Sequence, residues 1–398
     1  MPADLTHVAL VLSLVLGGGL FIERFRQPAL VGYLIIGAII GPGILGLQGD
    51  DETVRWLAEL AIVLLMFMLG LELDVRFFRA SLKTALGVAL AQTAAATAAM
   101  AALTLFFDIQ LDTAILFGFI TALSSTAVAM TMLRNLGEAE TPLGQTATAI
   151  LIAQDILAIP MLVTVGVLGE GFTMDGLTHL GIGVGIIALS LFGIFELVSH
   201  PQWVERLERF FSRGATQPVI AAMALCFGAA ALSGSAGLSN AYGAFAIGLL
   251  IGNLGQIGAS YRQAVEPIHE LLMMVFFLSV GLMLDVGFIL DNIVLIAAIL
   301  AITIFLKTAF TIGVARLLGV ERDVAVPLGG VLGQIGEFSF VLISLGLASG
   351  FLSHREYQIG LAVIALSLVV SPLWFSLVRK RHDARVARES ATPALPGA

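Results

Sequence analysis

Along the chain, apolar residues come in runs of about twenty, separated by short polar stretches that carry nearly all the charge. That length matches a helix crossing the hydrocarbon core of a bilayer. Thirteen such runs are predicted as membrane spans: residues 5–22, 28–47, 54–73, 82–106, 111–133, 143–168, 176–198, 216–234, 238–255, 267–284, 288–315, 323–349 and 356–378. The first run is followed by Glu23, Arg24 and Arg26, and then by Pro28 opening the next. No small-x-small cleavage site follows it, so it reads as a retained helix and not a signal peptide. The polar stretch Arg379–Ala398, rich in Ala, Pro, Arg and Ser, reads as a tail or linker stub.

Composition narrows the class. Of the 398 residues, 58% are hydrophobic and 12% charged, against about 25% charged in soluble domains. Soluble enzymes and nucleic-acid binders are excluded, and a net charge of -8 argues further against a polyanion partner. A single cysteine, Cys226, rules out an internal disulfide framework. The six histidines show no zinc-ligand spacing, and no nucleophile–base pair or metal cluster suggests a membrane enzyme. An all-α polytopic membrane protein without a cofactor is expected. Seventeen of the twenty Lys and Arg residues fall after odd-numbered spans or in the tail, two (Arg55 and Arg355) fall on the other side, and Lys307 lies within a span. The positive-inside rule then puts the N-terminus outside and the C-terminus in the cytoplasm.

The chain repeats itself. Glu59–Val75 (ELAIVLLMFMLGLELDV) and Glu270–Val286 (ELLMMVFFLSVGLMLDV) agree at seven of seventeen positions, at an offset of 211. The same offset carries Gly32, Gly37 and Gly41 onto Gly243, Gly248 and Gly252. It moves span 2 onto span 9, an odd shift of seven, so the halves (about 24–168 and 235–378) are expected to cross the membrane in opposite directions. Inverted repeats are the architecture of secondary transporters. The glycines also have a structural reading, since small faces let helices approach closely.

Charges at mid-membrane are costly and mark functional sites by default. Three are found: Asp155 in span 6, Lys307 in span 11 and Glu337 in span 12. Glu59, Glu72, Asp74, Glu196, Glu270 and Asp285 lie nearer span ends, where headgroup contacts suffice. Asp155 follows Gln154, and Pro160, five residues on, is expected to free the Ile156 carbonyl. A carboxylate, an amide oxygen and a loose carbonyl are hard ligands suited to an alkali cation; a permanent Asp–Lys pair is the structural alternative. Span 5 carries Ser124, Ser125 and Thr126 in a row, and span 12 reads LGQIGEFSF, where Gly333, Gln334, Gly336 and Glu337 interrupt an apolar run. Interruptions at corresponding places in both halves point to a binding site built on broken helices. Lys307, buried from water, needs a partner for its charge: Asp155, Glu337 or the exposed carbonyls of a broken helix.

These motifs (QPALVGYLIIGAIIGP, FMLGLELD, LSSTAVAM, AQDILAIP, FFLSVGLMLD and GQIGEFSFVL) together resemble the cation:proton antiporter-2 family, most closely its Kef-type potassium/proton branch. The resemblance covers about residues 25–375 and implies thirteen spans, an Na+/H+ antiporter-like fold with spans 5 and 12 broken and crossed, a homodimer and an elevator-like moving core. It makes Asp155 the ion-binding aspartate and Lys307 the core lysine. Gln154 stands where sodium/proton relatives usually carry a second aspartate, which favours potassium. Kef-type proteins usually continue into a cytosolic nucleotide-binding domain, whereas here about twenty residues follow the last span, so no such regulatory domain is expected and a separate regulatory subunit is left open.

The expected function is exchange of a monovalent cation, K+ over Na+, for H+ across a bacterial inner membrane by alternating access. Asp155 takes cation or proton in turn. Gln154, Ser124, Ser125 and Thr126 complete the cation shell, Lys307 and Glu337 compensate charge, and Pro160, Gly333, Gln334 and Gly336 support the breaks. An Na+/H+ antiporter, a gated channel-like K+ pathway and a transport-inactive sensor subunit are the alternatives.

Overall fold

The computed structural model describes residues 13–14, 16–22, 24, 28–41, 51–73, 75–105, 110–168, 181, 185–186, 189–190, 192–194, 196–212, 218–236 and 239–391. About half of each of expected spans 1 and 7 lies outside these residues, as do Glu23, Arg26, Asp74, Arg213 and residues 392–398.

Among the described residues there is no strand, and the main elements are helices: α1 (Ala29–Ile40), α2 (Asp51–Glu72), α3 (Val75–Leu103), α4 (Leu111–Ala122), α5 (Thr126–Asn135), α6 (Pro142–Leu168), α7 (Pro201–Ser212), α8 (Pro218–Ser235), α9 (Asn240–Gly252), α10 (Gly255–Met283), α11 (Val286–Asp291), α12 (Ile293–Leu317), α13 (Arg322–Val331), α14 (Phe338–Ala348) and α15 (His354–Ala391). Seven described segments are long and apolar enough to cross a membrane. Expected span 5 is the pair α4 and α5, and expected span 12 the pair α13 and α14.

Two helices depart from the sequence reading, α10 and α15. α10 begins twelve residues before expected span 10 and carries Pro267 in its interior. α6 carries Pro160 in its interior and runs to Leu168, the end expected for span 6. The polar stretch expected as a tail continues α15 to Ala391. Good helix formers fill it, Arg379 pairs with Asp383 four residues on at 3.7 Å, and the same guanidinium grips both carboxylate oxygens of Glu138 in the turn before α6.

The chain folds into two compact units: residues 1–81, 155–291 and 341–358 form one, and residues 82–154, 292–340 and 359–398 the other. In the first unit, α9 packs on α2 and α8, and α10 packs on α1 and α2. The helices meet through glycine. A Cβ on Gly37 would overlap the Leu278 carbonyl and lie 2.9 Å from the Gly281 Cα; one on Gly248 would overlap the Phe67 carbonyl and lie 3.3 Å from the Gly70 Cα. Each residue of the first contact is related to one of the second by 211 positions: Gly37 to Gly248, Phe67 to Leu278 and Gly70 to Gly281. The α1–α10 contact is thus repeated as α9–α2 with the halves exchanged. The second unit keeps the same offset, since Thr97 lies against Gly118 as Thr308 lies against Gly329. There α12 packs on α13 and α4.

A methyl group at these approaches has no room, and overpacking typically costs about 1–3 kcal/mol. Gly37→Ala and Gly248→Ala should each lower the melting temperature in detergent by similar amounts. Gly313→Ala, where a Cβ meets nothing within 4 Å, should leave it unchanged or raise it. Thermal unfolding followed by intrinsic fluorescence checks both.

Candidate functional site at two crossed helix breaks

Two interruptions define the site, both in the second unit. Residues 123–125 separate α4 from α5, and residues 332–337 separate α13 from α14. Ser125 starts the helix after the first break: its hydroxyl caps α5 by accepting the Val128 N–H at 3.2 Å. In the second break, a Cβ on Gly336 would lie 2.7 Å from the Ser124 carbonyl, so only glycine lets the strands of backbone touch. They do touch. The Gly336 N–H donates to the Leu123 carbonyl at 3.1 Å. The Gln334 amide donates to the Ser125 carbonyl at 3.2 Å, the Ser124 hydroxyl to the Leu332 carbonyl at 3.0 Å, and the Ser339 hydroxyl to the Ile120 carbonyl at 2.9 Å.

Lys307 closes the crossing from α12. Its ammonium donates to the Leu123 carbonyl and, at 2.8 Å, to the Gln334 carbonyl. These acceptors are 211 residues apart, so one side chain bridges corresponding points of the two halves. α4 ends one residue before Leu123, and α13 ends three residues before Gln334. The carbonyl ends of helices carry partial negative charge, which an ammonium complements. Glu337 acts at the opposite pole: its carboxylate accepts from the Ser125 hydroxyl and the Ala127 N–H, in the first turn of α5, where partial positive charge collects. No Lys307–Glu337 ion pair occurs among the described residues, so each compensates a helix end and not the other.

A second chain of contacts ties the break to α6. The Ser124 N–H donates to the Gln154 amide oxygen at 2.9 Å, the Gln154 amide nitrogen to the Gln92 oxygen at 2.7 Å, and the Gln92 nitrogen to the Thr311 hydroxyl at 2.5 Å. Thr311 donates in turn to the Lys307 carbonyl at 2.7 Å. On the other break, the Ile335 N–H, 211 positions from that of Ser124, donates to the Ser367 hydroxyl at 3.1 Å. A cavity of about 180 Å3 lies beside this chain, bounded by Gln92, Thr121, Thr303, Lys307 and apolar residues of α3 and α12.

The structure therefore brings Ser124, Ser125, Gln154, Lys307, Gln334, Gly336 and Glu337 into one hydrogen-bonded cluster. Thr126 opens α5, Gly333 fits against the Thr308 hydroxyl, and Pro160 lies within α6. Asp155, the residue after Gln154 in that helix, is 2% exposed. Sequence reasoning missed Gln92, Thr311, Ser339 and Ser367. The signal for Gln92 was available: it stands alone as an amide in the alanine-rich apolar run of span 4.

A family model described as sodium/hydrogen exchanger, transmembrane, matches residues 10–380. The chain belongs to that family. It is a multi-pass membrane protein. A relative from Paramagnetospirillum magneticum, named iron transporter MagA, is 36% identical over 381 residues, which cover 95% of this chain and 86% of that protein. Among solved structures, the sodium proton antiporter MjNhaP1 from Methanocaldococcus jannaschii, determined at pH 8, shares the fold with a TM-score of 0.71 at 15% identity, over 95% of this chain and 98% of that one. An electron-microscopy structure of the same antiporter matches with a TM-score of 0.63 at 16% identity over both full chains.

Removing the ammonium leaves carbonyls buried without their charged donor, at about 1–3 kcal/mol for each unsatisfied group. Lys307→Met should therefore lower the melting temperature sharply. Lys307→Gln, which keeps a donor, should lose less. Equal stability of Lys307→Met and the parent protein in a detergent melt would contradict the bridging role.

Proposed function

We propose that this protein is a secondary active antiporter of the Kef-type branch, exchanging a monovalent cation, K+ in preference to Na+, for protons by alternating access. Membership of the sodium/hydrogen exchanger family supports cation/proton antiport. The observation that carries the site is the crossing of two helix breaks, where carbonyl, hydroxyl, amide and carboxylate oxygens gather around non-helical backbone in an apolar bundle. Such backbone is tolerated at membrane depth only where it is buried in protein or lines a cavity. Asp155 is the carboxylate that takes the cation or the proton, and Ser124, Ser125 and Thr126 supply further oxygens. The Gln154 oxygen, which accepts the Ser124 N–H, keeps a second lone pair for a cation.

The preference for K+ rests on Gln154. An amide there leaves Asp155 without an adjacent carboxylate in α6, a weaker field that suits the larger, more easily dehydrated ion. The repeats, about 24–168 and 235–378, would exchange near-equivalent conformations to move the site between faces. Part of the reading rests on the resemblance alone: a homodimer in a bacterial inner membrane. The N-terminus outside and the C-terminus in the cytoplasm follow from the distribution of Lys and Arg. A separate regulatory subunit is compatible with it. Na+/H+ exchange is the second reading, favoured by the shared fold with a sodium proton antiporter.

Proteoliposomes with an imposed pH gradient, titrated separately with K+, Na+, Rb+, Li+ and Fe2+, test the cargo. Exchange with K+ at lower half-saturation than Na+ supports the proposal, and an Na+ preference selects the second reading. Currents whose reversal potential ignores the pH gradient indicate a channel, and iron-dependent exchange alone would replace the alkali reading. Asp155→Asn should abolish exchange in folded protein; parent-like rates would remove Asp155 from the site. Gln154→Asp should shift preference toward Na+.

A further inference from the structure

The crossing contains two buried oxygens that its hydrogen bonds do not account for. Gln334 is wholly buried and Glu337 is 4% exposed. The Gln334 amide nitrogen faces the Ser125 carbonyl, which fixes the amide's orientation and turns Oε1 away, and no donor reaches that oxygen. Glu337 accepts from the Ser125 hydroxyl and the Ala127 N–H, yet its Oε2 also has no donor. Buried polar atoms are satisfied in the great majority of cases, and two unsatisfied acceptors anchored on one residue form an exception that requires a reason. Gln334 Oε1 accepts only, and so does Glu337 Oε2 when the carboxyl is ionised, so together they call for a small species carrying positive charge or protons.

The repeat points the same way. At the 211 offset, Gln334 corresponds to Leu123 and Glu337 to Thr126. The first break thus carries an apolar side chain and a hydroxyl where the second carries an amide and a carboxylate. The backbone crossing needs neither of the additional oxygens, because its bonds run through Gly336 N–H, the Gln334 nitrogen and the Ser124 and Ser339 hydroxyls.

We infer that Gln334 Oε1 and Glu337 Oε2 form a second subsite for a monovalent alkali cation, separate from the Asp155 carboxylate. The inference rests on the protein being a cation transporter, as proposed above, but not on Asp155 being its site. Lys307, bonded to the Gln334 main-chain carbonyl, is a neighbouring basic group, so the subsite is expected to bind more weakly when that amine carries a proton.

Equilibrium dialysis of the purified full chain against Rb+, with choline replacing it as control, tests the subsite. In Asp155→Asn, saturable Rb+ binding should persist. Adding Glu337→Gln, which keeps the shape and removes the charge, should weaken that residual binding by about tenfold or more. Gln334→Met, of similar length but without the oxygen, should weaken it in the same direction, so the test survives if one variant does not fold. Crystals soaked in Rb+ should show anomalous density in contact with Glu337 Oε2. No saturable Rb+ binding in folded Asp155→Asn, or residual binding indifferent to both further substitutions, overturns the subsite, and a bound water only would give the second of these results. Parent exchange that persists alongside such a negative result leaves the transport reading intact. Conversely, Glu337-sensitive Rb+ binding in a parent protein that exchanges nothing would sink the transport reading and keep the subsite.

Discussion

The crossing of helix breaks in the second unit depends on one side-chain amine, that of Lys307, holding two helix ends. α4 and α13 stop in the middle of an apolar bundle, where their last carbonyls have no helical partner and no access to bulk water. Lys307 answers this by donating to the Leu123 and Gln334 carbonyls together, with its side chain only 8% exposed. A neutral donor could bond these carbonyls without opposing their charge. A cation both bonds them and opposes the partial negative charge that gathers at helix C-termini. Glu337 makes the complementary contribution at the start of α5, so the crossing holds one basic and one acidic side chain, each placed at the helix pole that suits its charged form.

The scaffold around that clamp is close to symmetric, and its chemistry is not. Glycine contacts in the first unit and the Thr97–Gly118 and Thr308–Gly329 contacts in the second recur at one offset of 211 residues. Backbone approach is a matter of shape, which a duplicated sequence preserves through glycine. The two ionisable groups of the crossing occur once. Lys307 corresponds to Ala96 and Glu337 to Thr126. A symmetric frame gives two conformations of similar energy, whereas a pair of buried lysines or glutamates in the same small space would repel each other strongly. A frame that recurs in this way is what the proposed exchange between two states requires, and the residues that do not recur are those assigned the chemistry in that proposal.

The breaks themselves were legible because the chain writes them as local violations of a rule. Three hydroxyl residues in a row in span 5 and a Gly-Gln-Ile-Gly-Glu run in span 12 stand out from sequences otherwise filled with Ala, Ile, Leu and Val. Asp155 and Lys307 stood out for the same reason, as charges where charges are costly. The Gln154–Gln92–Thr311 chain was not legible as a chain. Its links join residues 62 and 219 positions apart, and an isolated glutamine or threonine in a helix is compatible with many partners. The helix beyond Lys380 was misread for a different reason: its polar composition announced solvent, and solvent exposure does not prevent a helix anchored at one end by Arg379 and Glu138.

By itself the sequence determined that this is a helical membrane protein with two interrupted spans, contact residues that recur at one offset, and three charged residues inside apolar runs. These follow from composition and periodicity, which act locally along the chain. Only the tertiary structure decided which partners those charges take. Three acceptors were open to Lys307 on the sequence, and a carbonyl 184 residues away has no mark that distinguishes it from any other. Crossing the two breaks is what exposes the Leu123 and Gln334 carbonyls side by side, and it also leaves Gln334 Oε1 and Glu337 Oε2 facing no donor. A backbone carbonyl becomes a binding group when its helix stops, and where two such helices meet is a property of the fold alone.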